Sequence, residues 1–191
     1  MIFNFEEPKT LQECLERLKL GHKRMVDEDL CHSDYSIFNP GVTEEQLKKI
    51  ENDYNITLCE EYKEFMKFSN GAKIMEESAN IYDIAMFGVS DPMVPDGYLT
   101  IGEIIGDGER IAISKEDGDI YSCYDGKVKY WSISNYMDQL LKDCEQEIYE
   151  HEKELIQASK DPETLKREEE YKEYMRIEKQ MLEERKKRLG K

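Results

Sequence analysis

The chain has 191 residues, 37% of them charged and 39% hydrophobic, with 43 acidic and 27 basic side chains and a net charge of −16. A field of that sign repels nucleic acid and anionic membrane and attracts cationic partners. No run approaches the roughly 18 apolar residues of a membrane span, and Met1–Pro8 lacks the basic start and apolar stretch of a signal peptide.

The charge is unevenly spread. Residues 1–39 carry 8 acids and 5 bases, residues 40–146 carry 22 and 10, and residues 147–191 carry 13 and 12. Most of the negative charge therefore sits on the middle segment, at a net −12. Solubility alone accounts for any single acidic patch; a cationic protein partner is the functional alternative. The five cysteines (Cys14, Cys31, Cys59, Cys123, Cys144) are odd in number and form no C-x-x-C pair. They fit reduced thiols in a cytoplasm better than a disulfide framework.

Thr10-Leu-Gln-Glu13 has the capping-box pattern, and Leu11, Cys14, Leu15 and Leu18 follow at i, i+3, i+4 and i+7. An amphipathic helix is expected there, with Gly21 as its stop and an irregular stretch to Gly41 closing on the turn signal Asn39-Pro40-Gly41. Thr43 and Gln46 repeat the capping pattern ahead of Leu47, Ile50 and Tyr54. A third helix is expected over Glu60–Ser69, buried through Tyr62, Phe65, Met66 and Phe68 and closed by Asn70-Gly71.

The period then changes from helical to alternating. Strands are expected at Ile81–Phe87, Arg110–Ser114, Asp119–Tyr124 and Lys127–Ile133, and Tyr98–Ile101 reads as a short strand or connector; Gly-containing turns between the runs point to an antiparallel meander. Trp131 is expected in the core. Ser134 is the expected cap of a helix that buries Tyr136, Met137, Leu140, Leu141 and Cys144. Helices, then strands, then a helix define an α+β fold, with a central, mostly antiparallel sheet flanked by helices.

Residues 147–191 contain four acid-before-base pairs at i, i+4: Glu163/Arg167, Glu168/Lys172, Glu183/Lys187 and Glu184/Arg188. Tyr171, Met175, Leu182 and Leu189 follow a heptad-like line, interrupted by Glu178 and Arg185. Either a solvated helix or one that docks its Tyr/Met/Leu side satisfies that pattern. The expected organisation is an N-terminal helix and linker over 1–40, an α+β domain over 41–146 and a charged helical extension over 147–191.

Signals for chemistry are sparse. His22, His32 and His151 are expected outside the core, and Cys31-His32 near Asp34 lacks the second ligand pair of a zinc site. Gly102–Arg110 has no Gly-Lys-Ser/Thr and no following helix to receive a phosphate. Asp117-Gly118-Asp119 and Asp125 lack the twelve-residue spacing of a calcium loop and suit turns. No Gly-x-Ser-x-Gly elbow occurs. A binding protein is expected rather than an enzyme, without cofactor or metal.

Gly41–Glu51, Leu58–Met66 with Ser69-Asn-Gly71, the run Ile105–Ser114, Gly118–Asp125, Val128–Trp131 and Ser134–Leu140 together resemble the SMI1/KNR4 (SUKH) superfamily. The resemblance spans residues 41–146, with Cys59 where the family usually has proline and Tyr136 where it often has Phe. It implies an α+β fold that works by binding. Many bacterial members look like immunity proteins that neutralise a cognate toxin, often a nuclease, and eukaryotic relatives are regulatory scaffolds. No catalytic residues accompany it. Under the immunity reading, the acids of the strand loops, Asp107, Glu109, Asp117, Asp119 and Asp125, are the candidate contacts for a cationic toxin. A regulatory module acting through the C-terminal helix is the alternative.

Overall fold

The computed structural model describes residues 7–32, 35–75, 79–104, 108–159 and 162–188. Two compact units divide the chain, residues 1–146 and 147–191.

Helix α1 (Leu11–Asp27) opens on Thr10, whose hydroxyl accepts the Glu13 amide at 3.1 Å. The Glu13 carboxylate accepts the Lys9 amide, one residue further back than a full capping box requires. Gly21 does not stop this helix. Its buried stripe continues through Leu18, His22 and Met25, so burial outweighs the helix penalty of one glycine, about 1 kcal/mol. His22 is therefore a core residue, contrary to the expectation from sequence. Helix α1 is anchored by the ion pair of Arg17 with Glu145 and by the Cys144 thiol against the Met25 sulfur at 3.4 Å.

Strand β1 (Ile37–Phe38) follows. Asn39-Pro40-Gly41 forms no turn; it is an extended link, held by the Asn39 side chain on the Asn70 carbonyl and by the Val42 amide on the Met66 carbonyl. Helix α2 (Glu44–Tyr54) carries the complete capping box of Thr43 and Gln46 and ends on left-handed Asn55. Helix α3 (Glu60–Phe68) buries Tyr62, Phe65 and Met66.

The remaining strands are β2 (Ala72–Ile74), β3 (Ala79–Ile81), β4 (Tyr98–Ile104), β5 (Glu109–Ser114), β6 (Ile120–Tyr124) and β7 (Lys127–Tyr130). With β1 they form one seven-stranded antiparallel sheet in the order β1-β2-β3-β4-β5-β6-β7, so β1 and β7 are its edges. The fold is α+β, a central antiparallel sheet flanked by helices. Leu99, Ile113 and Ile120 lie opposite one another in register and are buried on one face, with Ile111 two residues along. Gly102 is a strand residue beside a register shift in β4, where a β-carbon would fall 2.6 Å from the Asn80 carbonyl oxygen.

The expected strand Ile81–Phe87 is mostly turn. The Asp83 carboxylate accepts the Ala85 and Met86 amides, which takes the backbone out of the ladder. At the other end of the sheet β7 stops at Tyr130. Trp131 is half-buried against Tyr136, at 5.4 Å between ring centroids, rather than a core strand residue.

Helix α4 (Ile133–Ala158) is capped by Ser132 rather than Ser134, because the Ser132 hydroxyl accepts the Asn135 amide at 3.2 Å. Helix α5 (Pro162–Arg188) begins in the second unit. Its Glu163–Arg167 pair forms at 2.6 Å, and Tyr171, Tyr174, Met175 and Ile177 are exposed. The pairs involving Glu168, Glu183 and Glu184, and the line through Leu182 and Leu189, lie outside the described side chains.

Candidate protein-contact surface

The face of the sheet opposite Leu99, Ile113 and Ile120 carries a row of tyrosines. Tyr121 lies across from both Ala112 and Tyr130, and Tyr98 across from Ser114. Directly opposed residues of an antiparallel pair project to the same side, so the three tyrosines share one face. Strand β5 runs between Tyr98 and Tyr121 and presents only Ala112 and Ser114 there, which lets the two rings meet above it. The Tyr98 and Tyr121 centroids are 5.6 Å apart at 77°, and Tyr121 and Tyr130 are 6.1 Å apart at 87°. Both are edge-to-face arrangements. Tyr130, on the sheet edge, is 66% exposed.

The β5–β6 turn borders this row. Asp117 Oδ1 accepts the Asp119 amide at 3.0 Å, and its Oδ2 accepts the Tyr121 hydroxyl at 2.8 Å. The backbone and Tyr121 hydrogen bonds hold the Asp117 carboxyl below its ordinary range. In return the hydrogen bond to Asp117 pushes the Tyr121 phenol up to about 12. A carboxylate is thereby fixed against the central tyrosine of the row.

Further along the same face, Arg110 donates from Nε to Asp91 Oδ2 at 2.6 Å and pairs with Glu103 at 3.3 Å. The Asn80 side chain donates to Glu103 at 3.2 Å. This cluster ties the 82–97 loop to strands β3, β4 and β5. The Arg110–Asp91 hydrogen bond, ahead of every other influence, keeps the guanidinium charged.

Of the five acids expected at the contact, the four described ones are not brought to one place. Glu109 opens β5 and is level with the β6–β7 turn that carries Asp125, while Asp117 and Asp119 occupy the β5–β6 turn at the opposite end of the same strands. The six residues of β5 separate the two groups by about 20 Å. Asp125 and Gly126 both have positive φ, 48° and 71°, as a two-residue hairpin turn of the Asp-Gly type requires. Asp107 lies outside the described residues. Sequence reasoning missed the tyrosine row. Its signal was the repeated tyrosine in neighbouring alternating runs, but which face those tyrosines share depends on register.

Among the described residues no group of three or more His, Cys, Asp or Glu side chains is placed to hold a metal ion. Nor, among them, is any helix long and apolar enough to cross a membrane. An antiparallel meander flanked by helices, with a tyrosine row that is half-buried at Tyr98 and Tyr121 and exposed at Tyr130, defines an α+β domain suited to protein contact. The family model of the SMI1 / KNR4 family (SUKH-1) matches residues 41–161, and the chain belongs to that family. The match begins at Gly41, where the resemblance read from the sequence also begins, and extends past residue 146 into the second half of α4. No curated protein sequence matches the chain significantly.

Proposed function

We propose that this chain is a cytoplasmic binding protein of the immunity type, which neutralises a cognate toxin by covering the toxin's cationic surface. The observation that carries the reading is the Tyr98–Tyr121–Tyr130 row with Asp117 fixed on its central tyrosine. Tyrosine supplies a large contact area at low entropic cost and is enriched at protein interfaces. The net −12 of residues 40–146 speeds encounter with a basic partner such as a nuclease. Membership of the SMI1/KNR4 family supports binding as the mode of action. On this reading the protein performs no catalysis.

Co-expression with the toxin encoded beside the gene tests it. The chain should restore growth, and neutralising the two acidic groups separately (Glu109 with Asp125, Asp117 with Asp119) should weaken rescue and slow association. Full rescue by a variant lacking all four carboxylates would refute the electrostatic mechanism.

A scaffold role through α5 is the second reading, favoured by the exposed Tyr171, Tyr174 and Met175 on one side of that helix. Deleting residues 162–191 separates the two. Partner binding that disappears while the sheet stays folded supports the scaffold; retained binding supports the immunity reading.

A further inference from the structure

Residues that precede the family match build a second surface. A cavity of about 410 Å³ lies between α1 and the sheet edge, with Lys19, His22 and Lys23 on one wall and Ser36, Ile37 and Phe38 on the other. The second wall includes β1, an edge strand with no neighbour beyond it among the described residues. Alternate residues of such a strand turn their N–H and C=O groups outward, free to pair with an added strand.

The charge of this groove runs against the rest of the molecule. Helix α1 carries four basic residues, and two of them are committed, Arg17 to Glu145 and Arg24 to Glu28. Lys19 and Lys23, one helical turn apart and exposed, form no ion pair among the described residues. Among the described residues no acidic side chain lines the groove. The Lys19 ammonium lies over the Phe68 ring at 5.9 Å from its centroid, so neither lysine is neutralised by a carboxylate. Two such ammonium groups beside a strand edge, on a chain of net charge −16, select for anionic occupants.

The walls also have apolar and polar parts. Ile37 is 43% exposed, and Phe38 packs edge-to-face on Phe68. His22 is only 4% exposed, and neither of its ring nitrogens has a hydrogen-bond partner among the described residues. An occupant that alternates apolar and acidic side chains matches both requirements, since in a strand successive side chains point to opposite sides.

We propose that the groove between α1 and β1 binds an extended, acidic–apolar segment of a partner protein, which adds as a strand beside β1 and sets its carboxylates against Lys19 and Lys23. This is strand addition to a sheet edge, in which main-chain hydrogen bonds supply affinity and the groove supplies selectivity. The site lies at the opposite sheet edge from Tyr130 and is independent of the toxin-contact reading. All of its residues fall between 19 and 38, outside the matched 41–161, so it distinguishes this chain from the family domain.

The test is titration of the full-length, isotope-labelled chain with a synthetic octapeptide alternating Glu with Val or Ile, and with its counterpart carrying Lys for Glu. The acidic peptide should shift the amide signals of Lys19–Val26 and Ser36–Phe38 and slow hydrogen exchange at β1. The basic peptide should not. Lys19→Glu with Lys23→Glu, both at exposed positions, should weaken binding at least tenfold with an unchanged melting temperature. Equal binding of both peptides, shifts confined to β7 or α5, unaltered affinity in the double variant, or no binding at millimolar peptide would each overturn the proposal. So would citrate or inorganic phosphate binding as tightly as the peptide, which would make the groove a small-anion site.

Discussion

Gly118 lies so close to the backbone of Thr57 that a β-carbon at residue 118 would fall 1.8 Å from the Thr57 carbonyl oxygen. The Gly118 carbonyl in turn accepts the Cys59 amide at 3.2 Å. The β5–β6 turn is thus pressed onto the link between α2 and α3, and φ at Gly118 is +75°, a conformation L-residues rarely adopt. Gly118→Ala should therefore cost at least ~3 kcal/mol, because backbone must move on both sides of the contact. Gly126 has a similar φ of +71° but open space around its α-carbon. Gly126→Ala should cost only about 1 kcal/mol. Urea unfolding of the two variants measures the difference; equal losses would mean that φ alone, rather than the Thr57 contact, sets the requirement.

Glu61 supports the start of α4 from α3. One carboxylate oxygen accepts the Ser132 hydroxyl at 2.7 Å and the Ser134 amide at 2.6 Å, placing negative charge at the positive end of a 26-residue helix. Glu61→Ala should destabilise the chain by about 1–2 kcal/mol, and Ser132→Ala by about 1 kcal/mol. Because the two residues share one network, the double variant should lose less than the sum. Strict additivity in chemical denaturation would show that Glu61 caps the helix without help from Ser132.

What was legible in the sequence was local. The caps at Thr10 and Thr43, the stripe from Leu11 to Leu18, and the Asp125-Gly126 hairpin each depend on residues within a few positions of one another. The continuation of α1 through Gly21 depends on what His22 and Met25 pack against, which no local pattern contains. Strands β1 and β2, of two and three residues, are too short to show a period. The alternating run Ile81–Phe87 misled because the Asp83 side chain competes for the backbone amides. Asp117, Asp119 and Asp125 stand in the loops expected for them, whereas Glu109 opens β5, and only the register shows that Glu109 and Asp117 stand at opposite ends of that strand.

The tyrosine row and the acids make separable contributions to partner binding. Tyr130 is exposed on an edge strand, so Tyr130→Ala should leave the melting temperature within about 2 °C, a change of under ~0.5 kcal/mol. At the centre of an interface the same truncation should weaken the complex at least tenfold, chiefly through faster dissociation. Asp117→Asn should act mainly on the association rate and its salt dependence. Stopped-flow and dissociation measurements on the complex separate the two. The opposite ranking would indicate that charge, not the aromatic row, holds the partner.

His22 gives the fold a defined sensitivity to acid. Burial pushes its imidazole down to about 4; the Tyr35 ring packs against it at 5.3 Å, and Lys19 and Lys23, which line the same groove, supply no counter-charge for a cation. In the unfolded chain the ordinary value is about 6.5. As pH falls through 6.5 the unfolded state takes up the proton first, so stability is constant above that pH with respect to His22. It declines between about 6.5 and 4, by on the order of 3 kcal/mol in all. His22→Leu removes a buried ring whose nitrogens lack partners, so it should not lower stability at pH 7 and should flatten the decline. Urea midpoints at pH 7.5, 6.5, 5.5 and 4.5 for both chains provide the check. An undiminished slope in the variant would assign the acid sensitivity to the carboxylate pairs, such as Asp91 with Arg110, instead of to the helix α1 histidine.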